Sequence, residues 1–357
     1  MPVLVDRGSG GCHIHAKANH CDQAAQSLRG QTGSEWIEIG LLNNMPDAAL
    51  EPTELQFLEI LSSAAEDRWI HLRFFSLPNV PRSERGRAHL KQYFDIRDLW
   101  RADLDGLIVT GTEPKAADLT EEPYWNALTK VVDWAELNTI STIWSCLASH
   151  AAVLHLDGAR RSPLREKCFG IFDCDVVADH PLTAGLPPTF RLPHARCNEL
   201  REDKLTSLGY QVLTRSREAG VDSFFKQQQQ SCFLFLQGHP EYDARSLLNE
   251  YRRDIGRFLR SERTDYPRLP QRYFDASTAE AMLVFEQRAK ADRCEGMLAE
   301  FPTTSADPVF DNTWLPVAVG IYRNWLSYIL ESKTRYLSPP RYVASLRLKS
   351  PTASAVA

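Results

Sequence analysis

From Trp36 onward the chain alternates short runs rich in β-branched and aromatic residues with longer helical stretches, and this alternation restricts the fold more than any other feature. Trp36 to Leu42 reads as a strand, Pro52 to Ala64 as a helix and Ile70 to Ser76 as a strand, with a further segment ending at Leu99. Leu107-Ile108-Val109-Thr110-Gly111 reads as a buried strand ending in a glycine turn, Tyr124 to Leu137 as a helix, and Thr139 to Trp144 as a strand running straight into Cys146. The expected fold class is α/β: a doubly wound, mostly parallel sheet flanked by helices. In such sheets ligands bind beyond the carboxyl ends of the strands, where these segments deliver Gly111 and Cys146.

The second half continues with strands at Gly170 to Val177, Thr189 to Leu192, Tyr210 to Thr214 and Cys232 to Leu236, the last meeting Gly238-His239-Pro240-Glu241. The glutamine stretch Gln227 to Gln230 marks a hairpin or loop tip. A helix is expected from about Ala244 to Leu259, then a linker rich in Arg and Pro, then a last helix around Pro316 to Leu330. Residues 1–34 lack apolar periodicity and read as a mobile tail, 35–332 as a single α/β domain with a C-terminal helical addition, and 333–357 as a second mobile tail.

With 357 residues, 43% of them apolar, the chain can bury a substantial core. Its 41 basic and 46 acidic residues give a net charge of −5, which offers no general attraction to nucleic acid or an anionic membrane. No apolar run approaches membrane-spanning length and the N-terminus lacks a secretory h-region, so the expected location is cytoplasmic. Eight cysteines without repeating spacing fit reduced thiols. Cys12, His13, His15, His20 and Cys21 match no compact zinc module, and no metal is expected.

A cysteine directly after an apolar strand and before Ala148 and Ala151-Ala152-Val153-Leu154 has the pattern of a nucleophile elbow, in which a helix N-terminus favours thiolate. Beyond the strand at 232–236, His239 offers a general base and Glu241, two residues on, a carboxylate to orient it.

These residues resemble both the class I glutamine amidotransferases and the homoserine O-succinyltransferases, which share a fold and the Cys…His-x-Glu triad. The longer motifs are similar to the second group: Leu41-Leu42-Asn43-Asn44-Met45-Pro46, Asp105 to Gly111, Tyr124-Trp125, Glu166-Lys167 before Gly170, Pro193-His194 before Arg196, Gly238 to Asp243, Glu250 with Arg253-Asp254, and Asn324-Trp325-Leu326. The resemblance spans roughly residues 36–330 and implies a ping-pong acyl transfer from succinyl- or acetyl-coenzyme A to the hydroxyl of homoserine, through a Cys146 thioester. No bound cofactor is expected, since acyl-coenzyme A is a co-substrate; the small molecules are the expected partners, and the family suggests a homodimer.

The same resemblance implies the roles of further residues. Lys167 should lie near the acyl carbonyl, Arg253 should bind the amino acid's carboxylate, and Ala195 and Arg196 should border the substrate. Ala195 stands where the family usually has serine, which removes a hydroxyl from the expected site. Lys115 falls where the family has glycine in succinyl-users and glutamate in acetyl-users; an ammonium there pairs with a succinyl carboxylate, so the sign favours succinyl-coenzyme A. His150, one turn beyond Cys146, reads as a helix-surface or packing histidine. The alternatives are an acetyl donor, a glutaminase-like hydrolase with the same triad, and a binding protein of the same fold without turnover. The segment Trp144-Ser145-Cys146-Leu147-Ala148 lacks the Gly-x-Cys-x-Gly elbow usual in glutaminases.

Overall fold

The computed structural model describes residues 3–8, 11–15, 36–302 and 312–337. Eleven strands form one sheet in the order β2-β1-β4-β3-β5-β6-β11-β10-β9-β7-β8. They are β1 (Val3–Arg7), β2 (Gly11–His15), β3 (Trp36–Leu42), β4 (Trp69–Phe75), β5 (Gly106–Val109), β6 (Ser141–Ser145), β7 (Ser162–Val176), β8 (Thr189–Glu199), β9 (Gln211–Ser216), β10 (Gly220–Gln228) and β11 (Ser231–Leu236). The longer helices are α1 (Leu50–Ala64), α2 (Trp125–Asn138), α3 (Leu147–Asp157), α4 (Ser246–Leu259), α5 (Ala276–Ala291) and α6 (Leu315–Leu337).

From β1 to β11 across the sheet the neighbours β1-β4-β3-β5-β6-β11 are all parallel. These strands are buried on both faces, which is why they read as nearly continuous apolar runs. Alternation splits each of them between two cores: Leu107 and Val109 pack toward α2 and α3, whereas Ile108 and Ile143 pack toward α1 and α6. The expected doubly wound α/β arrangement is therefore present. Beyond β11 every pairing is antiparallel. There the connections are short, and Gln229, at φ 39°, makes the hairpin turn expected in the glutamine stretch. A third core forms where β7 and β8 meet α4, α5 and the start of α6.

Several expectations need correction. Part of the supposed N-terminal tail is strand: β1 pairs in parallel with β4, and its Val3-Leu4-Val5 run is buried, the apolar signal being only three residues long. Cys12, His13 and His15 fall on β2, while His20 and Cys21 lie outside the described residues. The Arg- and Pro-rich linker contains the 16-residue helix α5, whose Met282, Phe285 and Ala289 are buried. At the other end α6 runs to Leu337, past the expected start of a tail at 333; Lys333 donates from Nζ to the Trp36 carbonyl (3.0 Å) and to Asp105 (2.7 Å). Residues 338–357 lie outside the described residues. No described helix is long and apolar enough to cross a membrane.

Candidate active site

Cys146 occupies the sharp turn between β6 and α3, with φ 52° and ψ −113°. An L-residue held there stores on the order of 1–3 kcal/mol of backbone strain, which the surroundings must over-determine. They do so through the strand ends. The Cys146 N–H donates to the Leu236 carbonyl at 2.7 Å, carrying the β6-β11 pairing one residue further. Ser149 Oγ donates to the carbonyls of Trp144 (2.5 Å) and Leu236 (3.0 Å), closing both strand ends. The helix then starts on the Cys146 carbonyl, which accepts from Ser149 N–H at 3.0 Å. Gly111, two residues beyond the adjacent strand β5, lies against this turn: a Cβ there would sit 3.0 Å from the Leu147 nitrogen, so glycine leaves that amide uncovered.

His239 follows β11, the immediate parallel neighbour of β6. Its backbone N–H donates to the Pro193 carbonyl at 2.8 Å, and its ring stacks on Tyr242 with centroids 4.2 Å apart. Nδ1 lies 2.8 Å from Glu241 Oε1, which also accepts from Ser145 Oγ at 3.4 Å. The imidazole and Glu241 are both buried. Burial alone would depress the imidazole; the charges of Cys146 and Glu241 overcome it and hold His239 well above its ordinary value. With Nδ1 committed to the carboxylate, Nε2 is the nitrogen left to exchange a proton with the sulfur, and it has no nitrogen or oxygen partner among the described residues. Cys146 and His239 thus follow neighbouring parallel strands, with Glu241 holding the imidazole.

A charged cluster adjoins the ring. Lys167, on β7, donates from Nζ to Glu250 (3.0 Å) and Asp254 (2.9 Å) on α4 and lies over the Phe169 ring at 4.0 Å. Despite burial, the two carboxylates raise Lys167, and Lys167 with Arg253 lowers both of them. Tyr242 Oη donates to the other oxygen of Glu250 at 2.8 Å, so the cluster reaches His239 through the stacked phenol. Arg253 engages Asp254 at 3.1 Å with 44% of its side chain exposed, leaving part of the fork open. Tyr242, Glu250 and Asp254 lay within quoted motifs, but nothing in their spacing disclosed this contact with Lys167.

The remaining expected site residues divide. Ala195 is half-buried on β8 opposite Phe169. Arg196 is buried and donates to the main-chain carbonyls of Asn198 (2.9 Å) and Ala219, while its Nε has no hydrogen-bond partner among the described residues. Lys115 is exposed on the loop after β5, where its backbone N–H donates to Glu122 Oε1. His150 is buried against Gln237, with Nε2 3.0 Å from its Oε1, and burial pushes its pKa down to about 3. It is a packing histidine, as expected. Among the described residues, Cys174, His194 and Asp222 are the group whose donor atoms approach closely enough to hold a metal, within 4.8 Å of one another.

Residues 15–336 match the family model described as homoserine O-succinyltransferase. The chain is 48% identical to the homoserine O-succinyltransferase of Rhodopseudomonas palustris, over 86% of this chain and 91% of the relative. It is likewise 48% identical to that of Bradyrhizobium japonicum, over 83% and 90%. Among solved structures, a glutamine amidotransferase from Thermotoga maritima matches with a TM-score of 0.46 at 14% identity, covering 83% of this chain and 98% of that one.

Proposed function

Because the chain belongs to the homoserine O-succinyltransferase family, a family of acyltransferases, we propose that it transfers a succinyl group from succinyl-coenzyme A to the hydroxyl of L-homoserine through a Cys146 thioester, as a cytoplasmic enzyme of methionine biosynthesis. The observation that carries this reading is the strained Cys146 at a helix N-terminus together with a buried His239 whose Nδ1 is held by Glu241.

In the first half-reaction the Cys146 sulfur attacks the thioester carbon of the donor. The bond from carbon to the coenzyme A sulfur breaks, and coenzyme A leaves as a thiol with the proton carried by His239. Exchanging one thioester for another is nearly balanced in energy. In the second half, the homoserine oxygen attacks the acyl-enzyme while His239 Nε2 takes its proton, and the bond to Cys146 breaks; ester formation runs downhill. The developing oxyanion belongs near the Leu147 amide that Gly111 leaves uncovered. Lys167 stays assigned to the acyl carbonyl and Arg253, with its partly open guanidinium, to the homoserine carboxylate.

The test is intact mass after incubation with succinyl-coenzyme A, followed by homoserine. A succinyl adduct discharged by homoserine supports the reading. An adduct from acetyl-coenzyme A alone transfers the enzyme to the acetyl class, and glutamine hydrolysis without any adduct overturns acyl transfer.

A further inference from the structure

The antiparallel half of the sheet holds a second group of chemically capable side chains that the acyl transfer does not use. Cys174 on β7, His194 on β8 and Asp222 on β10 converge from three strands, and their sulfur, nitrogen and oxygen atoms lie within 4.8 Å of one another. The backbone explains the convergence. His194 stands opposite Gly170, and Cys174, four residues on, projects from the same face of β7. β10 is irregular at Asp222: Val221 pairs with Arg215 and Ser223 with Thr214, which leaves Asp222 as the extra residue of a bulge. A bulge re-aims a side chain, and here Asp222 Oδ1 comes to 3.3 Å from His194 Nε2.

All three side chains are closed off from solvent, Cys174 and His194 at 0% exposure and Asp222 at 2%. His194 is the unusual member: neither ring nitrogen has a hydrogen-bond partner among the described residues, and the approach of Nε2 to Asp222 lacks hydrogen-bond geometry. Buried polar groups are ordinarily paired. Burial also pushes the imidazole below its ordinary value, so the ring is neutral at physiological pH, the form in which histidine ligates a metal. Asp222 Oδ2 accepts from Thr214 Oγ1 at 2.7 Å, the kind of outer hydrogen bond that holds a ligating carboxylate in place. Cys174 Sγ makes a long contact, 3.8 Å, with the Phe172 carbonyl.

We propose that Cys174, His194 and Asp222 bind a divalent transition-metal ion, zinc, as a structural site behind the catalytic loop. Nothing in the spacing along the chain announces it, since the three residues come from separate strands. Thiolate, imidazole and carboxylate together suit zinc, whereas magnesium and calcium take oxygen alone. Zinc bonds of about 2.0–2.3 Å in a tetrahedral arrangement put ligand atoms about 3.3–3.6 Å apart. The Nε2–Oδ1 edge already has that length, and the sulfur has at most about 1.3 Å to close. Binding releases the Cys174 proton to solvent; thiolate and carboxylate then balance the two charges of the ion and leave a neutral centre in the core. The Phe172 carbonyl is at hand for the fourth position. The site bears on the base through the main chain: the Asp222 carbonyl accepts from Gln237 N–H at 2.7 Å, and the Pro193 carbonyl from His239 N–H at 2.8 Å. Between them Gly238 lies against the ligands themselves, where a Cβ would come 2.3 Å from Asp222 Oδ1. A metal joining β7, β8 and β10 thus fixes both supports of the His239 loop, whichever acyl donor is used.

In the experiment the full chain is incubated with zinc, dialysed against zinc-free buffer and analysed for bound metal in wild type, Cys146→Ala, Cys174→Ser, Asp222→Asn and Asp222→Cys. Wild type and Cys146→Ala are expected to retain about one zinc per chain, and so is Asp222→Cys, which keeps a donor. Cys174→Ser and Asp222→Asn should lose at least about 10-fold in zinc affinity. Cobalt in place of zinc should give a thiolate-to-metal absorption band in wild type and Cys146→Ala that Cys174→Ser lacks, and a chelator should lower the unfolding temperature of wild type but not of Cys174→Ser. A wild-type chain that holds no zinc after dialysis overturns the proposal. So does zinc that survives both Cys174→Ser and Asp222→Asn unchanged, which would place it on another group such as Cys12 and His13. Zinc lost in Cys146→Ala overturns it as well, by placing the ion between the nucleophile and His239.

Discussion

The two halves of the sheet contribute to the site by different means. In the parallel half, the chain path alone places the groups: Gly111 follows β5, Cys146 follows β6 and His239 follows β11, beyond the carboxyl ends of three neighbouring central strands. In the antiparallel half, the placement depends on distant partners. Lys167 meets Glu250 and Asp254 across 83 and 87 positions of sequence, and Tyr242 joins them to the imidazole only by stacking on it. Strand ends position a nucleophile through backbone geometry, whereas a salt cluster positions charge through side chains that must each keep a partner. Loss of a group in the first half should therefore remove chemistry and spare the fold; loss in the second should also cost stability.

The largest effect tests the parallel half. Cys146→Ala should abolish the acyl adduct and lower turnover by at least about 10⁴-fold, a nucleophile's full contribution, with thermal unfolding little changed. Cys146→Gly sharpens the point: relief of strain at φ 52° should stabilise the inactive protein by about 1 kcal/mol in denaturant titration. If the glycine variant is the less stable, the turn is not strained by its side chain.

Next, His239→Ala should reduce overall turnover by about 10²- to 10⁴-fold, the usual worth of a positioned base. Equal acylation and transfer rates in wild type and variant would assign the base elsewhere.

In the antiparallel half, Lys167→Met leaves Glu250 and Asp254 without their main cation and should destabilise the protein by about 1–3 kcal/mol at neutral pH, less than for a fully buried pair because 24% of the lysine side chain is exposed. The pH sign follows from the lowered carboxylates. Their stabilisation is present above the ordinary values of 4.5 and 3.8 and is lost as pH falls through the lower folded-state values. Lys167→Met lifts those values, so the midpoint of acid unfolding should move to higher pH. An unchanged midpoint would mean that Arg253 alone holds the carboxylates.

The smallest effect concerns Lys115. Exposed on its loop, it should act on a succinyl carboxylate only through screened attraction, and Lys115→Glu should lower the succinyl-to-acetyl ratio by about two- to threefold at low salt and less at high salt. A larger, salt-insensitive change would mean that Lys115 contacts the succinyl carboxylate directly.

What the sequence determined by itself is whatever depends on neighbours along the chain. Both-face burial writes the parallel strands as apolar runs, and a strand ending in cysteine before a run of helix formers marks an elbow, so Cys146, His239 and Glu241 were legible together. Short or interrupted signals were not: Val3-Leu4-Val5 is too brief to read as a strand, and α5 has no single apolar stripe, with Leu283 and Val284 exposed on it. Only the tertiary structure decided which charges meet. It paired Lys167 with Glu250 and Asp254 and turned Arg196 inward onto main-chain carbonyls. A side chain's chemistry is set by the groups within a few ångströms of it, and a linear pattern carries that information only when those groups are near in sequence.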